Sequence, residues 1–391
     1  MGRKYRIISG DGHVETPPEP WVKFVPEEHR NRAPRLIHLP AGKGDAWLVE
    51  GQQMLHTGQN VTGPGPVKFA NGSYTTPEGR PSPGTGDGVQ RLHEQDQDGI
   101  DAEVLFPPVF ATRFIEGIQD KDVYLAIVQA YNTFLAEEYC AVAPDRLIGV
   151  AFMPVSGIDD AVAELERAGR LGLKTVMLQQ FPNGTGRAQP EDDRFWEKAL
   201  ELDMPLSPHV NFGDPAPVVT ARHDTSLWPA PAGMAQHSSG NMQGYTLAQL
   251  IVGGVFDRFP ELKFYFAEAN CSLLPGMLYY MDRDFTEYND WFKVSLPRLP
   301  SEYVVEHCYF GMIQERPAIK MGAAGLMPLD WFMWASDFPH SVGTFPRSRD
   351  YIADAFDGVD AATVQKITLE NAAGYFRLDL DKDITETPAL S

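Results

Sequence analysis

Apolar residues come along this chain in short blocks separated by stretches of helical character. The blocks are YRIIS (5–9), AEVLF (102–106), LIGVAFM (147–153), TVMLQ (175–179), PLSPHV (205–210), KFYFAEA (263–269), EHCYFGM (306–312) and WFMWASD (331–337). Helix-like stretches alternate with them at 121–140, 157–170, 191–202, 242–257, from about 272, at 315–325, and finally at 348–356 and 360–374. Alternating strand and helix predicts parallel pairing with helices covering the sheet. Eight such units predict an α/β fold of the closed (β/α)8 TIM-barrel type. The alternative, an open doubly wound sheet, expects a glycine-rich phosphate turn after the first strand. SGDGHVE (9–15) matches that turn poorly.

Residues 16–90 break the pattern. Pro and Gly recur in TPPEPW, LPAGKGDAW, TGPGPVKF and TTPEGRPSPGTGDG, which leaves little room for periodic helices. Trp21, Phe24, Trp47, Phe69 and Tyr74 are interspersed there, so the segment reads as a packed irregular insertion or cap after the first strand. The expected organisation is one barrel domain over 1–391 with this insertion inside it.

In a barrel the C-terminal ends of the strands share one mouth. The first strand delivers Asp11, His13 and Glu15 there, at alternating positions that share one face of an extended chain. The fifth delivers His209 and the sixth Glu268. The seventh ends near His307 and Tyr309, and the eighth adds Ser336, Asp337 and His340. Imidazoles and carboxylates gathered from several strands suit a divalent cation, because grouped buried carboxylates need a cation or proton to offset them. The competing reading is a structural salt-bridge cluster.

Composition narrows the partners. The 33 Lys and Arg stand against 53 Asp and Glu, a formal net charge of -20. Nucleic acid and anionic membrane both need a basic surface, so neither is expected. Cys140, Cys271 and Cys308 are far apart and form no CxxC pair, which fits a reducing cytoplasm. The N-terminus carries no hydrophobic leader, and no apolar run approaches 18 residues, so a soluble intracellular protein is expected.

The motifs ISGDGHVETPPEPW, RLHEQDQDGIDAEVLFPP, LIVGGVFDRFPELKFYFAEANCSLLP, PSEYVVEHCYFGM, WASDFPHSVGTFPRS and ITLENAAGYFRLD follow one another over almost the whole chain. In that order they resemble the amidohydrolase superfamily, in the branch that holds aminocarboxymuconate-semialdehyde decarboxylase and resorcylate- and carboxyvanillate-type decarboxylases. The resemblance implies that His13, His209 and Asp337 bind metal and that Asp337 can also activate a metal-bound water. It implies an outer or substrate-contacting role for His340, and an orienting or solvent-mediated role for Asp11. By position His237 resembles a mouth-lining His, and family relatives are often dimers, so a homodimer or related oligomer is implied.

Two departures from the family pattern matter. His-x-His is common after the first strand, and this chain has His13-Val14-Glu15. The sixth strand often offers a His, and here Glu268 stands at its end. Carboxylates in place of imidazoles harden the site and shift preference from zinc toward manganese or iron.

Three functions follow. A mononuclear site of His13, Glu15, His209 and Asp337 would support a hydrolase or a non-oxidative decarboxylase of a small, aromatic organic acid, with Glu268, His237 or His340 as proton donor. A dinuclear site that adds Glu268 and His237 would open a non-haem iron monooxygenase reading. A non-catalytic, metal-stabilised partner subunit is the third. Phe106, Phe110, Phe181, Trp334, Phe338 and Trp47 are pocket candidates, or simply core. Arg113 and Arg187 are candidate carboxylate anchors.

Overall fold

The computed structural model describes residues 2–39, 44–50, 52–53, 73–209, 212–213, 243–340 and 342–389. Its strands are β1 (Ile8–His13), β2 (Arg35–His38), β3 (Asp45–Val49), β4 (Gln52–Gln53), β5 (Ala102–Phe106), β6 (Leu147–Phe152), β7 (Thr175–Leu178), β8 (Leu206–Pro208), β9 (Phe264–Phe266), β10 (Cys308–Met312) and β11 (Phe332–Trp334). Eight of them pair in parallel in the order β1-β5-β6-β7-β8-β9-β10-β11. These are the eight predicted blocks, in sequence order, and they form the (β/α)8 barrel.

The ring closes where β1 meets the segment after β11. Gly12 and Phe338 form a parallel bridge. Asp337 N donates to Asp11 O at 3.0 Å, and His13 N donates to Phe338 O at 2.8 Å. Closure therefore falls on the two segments that carry the polar strand ends. At the opposite end the C-terminal helix Asn371–Tyr375 seals the base, with Tyr375 Oη donating to Leu206 O at 2.7 Å and Lys263 O at 3.2 Å.

Most strand positions are fully buried on both faces, as the continuous apolar runs require for a sheet covered by helices. The helices begin and stop on local signals. Asp87 caps Gly88–Asp98 by accepting from Gln90 N, and Gly99, at φ 78°, ends that helix in the left-handed conformation that glycine tolerates. Asp120 caps Lys121–Phe134 in the same way.

Several elements differ from the sequence reading. The helices Gly88–Asp98, Val109–Glu116 and Pro300–His307 were not expected, because each abuts a strand closely enough to blur the helical period. Within 16–90 the described residues carry some regular structure. They hold the short helix Glu19–Val22 and an antiparallel sheet in the order β2-β3-β4. Trp21 and Trp47 are fully buried there. His307 ends the helix before β10 rather than that strand's mouth end. It is buried at the base, with Nδ1 against Leu262 O at 2.8 Å and its ring stacked on Phe256.

Candidate metal centre

β1 runs on past its apolar residues through His13, so Asp11 and His13 lie on the strand itself. The pairing of β1 with β5 shifts register between Ser9 and Gly12, a local irregularity of the kind that re-aims side chains near active sites. His209 follows β8 directly. Asp337 lies three residues beyond β11 with φ 52°, and Glu268 lies two beyond β9 with φ 50°. Left-handed backbone at two non-glycine residues at the barrel mouth is a cost that clusters at functional sites.

Two groups of donor atoms form there. Asp11, His13 and His209 make the first, and His13, Asp337 and His340 the second, with all donor atoms of a group within 4.8 Å of one another. His13 Nε2 stands 3.5 Å from Asp11 Oδ1 and 3.3 Å from Asp337 Oδ1. His209 Nε2 stands 3.4 Å from Asp11 Oδ2. His340 Nδ1 stands 3.0 Å from Asp337 Oδ1, and its Nε2 3.6 Å from Glu15 Oε1. The His13 and His340 rings stack at 3.9 Å. Asp11, His13 and Asp337 are wholly buried.

The donor set fits a divalent cation. Among the described residues neither oxygen of Asp11, nor His13 Nε2, finds a hydrogen-bond partner, although all three atoms are buried. Such atoms normally find partners, and a cation would complete them. His13 is prepared for the role: its Nδ1 lies 3.3 Å from Pro107 O, which places the proton on Nδ1 and the lone pair of Nε2 toward the cluster. Burial, helped by His340, pushes His13 below its ordinary pKa, so the ring is neutral.

The other groups divide charge between them. Burial opposes a proton on His209, but Asp11 outweighs it and raises the pKa. Burial likewise opposes the charge on His340, and Asp337 holds it well above the ordinary value. Asp337 would be raised by burial, yet His340 and His13 hold it below the carboxylate range. Glu268 is pushed up to about 8 by burial and then by Asp337, and it lines a cleft of about 260 Å³ with Asn270, Gly311, Ile313, Gln314, Glu315 and Val342.

The expected site residues are not all brought together. His13, His209, Asp337 and His340 converge. Asp11, expected only to orient or to act through solvent, stands inside the first donor group. Glu15 lies in neither group and faces His340. Phe338 is buried beneath the Arg91 guanidinium, 4.5 Å from its ring centroid, and packs on Phe345. Trp334 is core within β11. His237 lies outside the described residues, as does the side chain of Arg113. No helix among the described residues is long and apolar enough to cross a membrane.

Comparison with known proteins agrees with this geometry. The family model described as amidohydrolase matches residues 90–378. A gamma-resorcylate decarboxylase of Rhizobium sp. (strain MTP-10005) is 26% identical over 307 residues, covering 74% of this chain and 86% of the relative. Among solved structures, an amidohydrolase from Mycobacterium avium subsp. paratuberculosis K-10 superposes with TM-score 0.70 at 19% identity, over 95% of this chain and 99% of its own. A 5-carboxyvanillate decarboxylase from Novosphingobium aromaticivorans, solved with manganese and 3-methoxy-4-hydroxy-5-nitrobenzoic acid, gives TM-score 0.59 at 23% identity over 74% and 80%. These relatives do not favour the monooxygenase expectation. With a barrel that closes on its own donor cluster and a family match over most of its length, the chain belongs to the amidohydrolase family and is an enzyme of its metal-dependent decarboxylase or hydrolase type.

Proposed function

We propose that this enzyme is a metal-dependent non-oxidative decarboxylase of a small aromatic acid. The observation that carries the reading is the buried donor set at the barrel mouth, in which both oxygens of Asp11 and His13 Nε2 find no hydrogen bond among the described residues, supported by a relative named as a resorcylate decarboxylase. The proposed ligands are Asp11, His13, His209 and Asp337, a mixed set suited to manganese, iron or zinc. A divalent cation there would bind the substrate carboxylate and a neighbouring oxygen and offset their charge.

The rest is done by this chain's own side chains. When the carbon–carbon bond to the carboxyl breaks, its electron pair stays on the ring carbon, which must take up a proton as CO2 leaves. Glu268 faces the adjoining cleft and holds a proton through neutral pH, so it is assigned as that acid. His340, charged between Asp337 and Glu15, holds Asp337 ionised and oriented. Glu268 is reprotonated from solvent through the cleft.

The test is turnover of hydroxybenzoates with a hydroxyl ortho to the carboxyl, using manganese-loaded protein. The expected result is one CO2 per acid consumed, no oxygen uptake, and loss of activity on chelation that manganese restores. Oxygen consumption, or no CO2 from any member of such a panel, refutes the proposal.

A further inference from the structure

Arg91 lies in the helix Gly88–Asp98, outside the barrel, yet its side chain is buried to 1% exposure. Its Nε pairs with Glu103 Oε2 of β5 at 2.8 Å, and Nη2 reaches Oε1 at 3.4 Å. The remaining donors go to two backbone carbonyls. Nη1 donates to His13 O at 3.1 Å, and Nη2 to Phe338 O at 2.9 Å. His13 belongs to the donor cluster, and Phe338 follows Asp337. The same Phe338 carbonyl accepts His13 N, so one guanidinium fixes both sides of the β1 closure.

Glu103 extends the fastening. Its Oε1 accepts from Ser336 Oγ at 3.0 Å, and its Oε2 from Gln95 Nε2 at 3.1 Å. Gly12 leaves the space these groups occupy: a Cβ there would lie 2.8 Å from Arg91 Nη2 and 3.1 Å from Glu103 Oε1. The guanidinium charge is matched by Glu103, so the pair adds little net field to the cluster. What it supplies is geometry, through a planar fork that a point-charged ammonium cannot reproduce.

We propose that Arg91, held by Glu103, is a positioning residue that sets the spacing between the β1 and β11 donors by holding the carbonyls of His13 and Phe338. The proposal rests on the metal reading above. Groups behind metal ligands typically change affinity about 10–100-fold when removed.

The experiment measures Mn2+ affinity by competition with a fluorescent chelator, on proteins shown to be folded at the assay temperature. Arg91→Lys keeps the charge opposite Glu103 but loses the planar fork that spans Glu103 and both carbonyls. It is expected to weaken Mn2+ binding at least about tenfold. Arg146→Lys is the control. Arg146 is equally buried but sits at the base, where Nε donates to Asp101 O at 2.8 Å, so this variant should lower the melting temperature and leave affinity within about twofold. Glu103→Gln provides a second reading should Arg91→Lys not fold, and is expected to weaken binding in the same direction. Variants that bind Mn2+ as tightly as the parent overturn the proposal while leaving the metal centre intact. A parent protein that binds no Mn2+ overturns the metal reading itself.

Discussion

The strand end Asp11-Gly12-His13-Val14-Glu15 offers two carboxylates flanking one histidine, and the tertiary structure gives them different surroundings. Asp11 stands 3.5 Å from His13 Nε2 and 3.4 Å from His209 Nε2, with neither oxygen hydrogen-bonded among the described residues. Glu15 Oε1 faces the far nitrogen of His340, at 3.6 Å. If Asp11 is a ligand, Asp11→Asn must weaken Mn2+ binding by more than the loss of an outer contact does. That sets a floor of about 100-fold, or about 2.7 kcal/mol. Glu15→Gln acts through His340 and should weaken binding by no more than about tenfold. Equilibrium competition with a chelator, backed by elemental analysis after gel filtration, reads both. Metal lost from Glu15→Gln and retained by Asp11→Asn would refute the assignment and restore Glu15 to the ligand set.

Other consequences are open to measurement. Burial lowers the pKa of His209, but Asp11 outweighs it and raises it, so the metal-free protein keeps a proton there to higher pH than an ordinary imidazole does, and below that pKa a cation must displace it. Below that pKa, affinity should rise about tenfold per pH unit and then flatten; calorimetry in two buffers that shows no proton release would contradict this. The hydroxyl of Tyr265 is buried and makes no hydrogen bond among the described residues, and a Cβ on Gly10 would lie 2.6 Å from it. Gly10→Ala should therefore cost about 1–3 kcal/mol in urea unfolding, and Tyr265→Phe should recover part of that in the double variant. Asn132 accepts Phe152 N at 2.8 Å and donates to Phe152 O at 2.9 Å and Glu164 Oε1 at 2.6 Å. Asn132→Ala should lower stability by about 3 kcal/mol, since it strands the buried Phe152 N–H and C=O and removes one of two bonds to Glu164 Oε1, which keeps Arg167 Nη2 at 2.9 Å; a loss under about 1 kcal/mol would show that water replaces them.

The chain's own pattern determined the fold. Eight apolar blocks became eight barrel strands because a strand buried on both faces must be continuously apolar, and that is a local property. Helices tight against strands, such as Pro300–His307, were hidden because their residues merge with the neighbouring block, and this misplaced His307 by the length of a strand. The site was legible as residue types at strand ends; which of its carboxylates stand beside the imidazoles was not. Alternation put Asp11, His13 and Glu15 on one face as equals. Only ring closure, with Asp337 bonded to Asp11 and Phe338 to His13, separated them. It set Asp11 among the imidazoles, while past His13 Val14 N still bonds to Phe106 O and Glu15 faces His340. Arg91 carried no mark in the sequence, because its function is to hold two backbone carbonyls that lie far apart along the chain, and such a contact exists only once the barrel has closed.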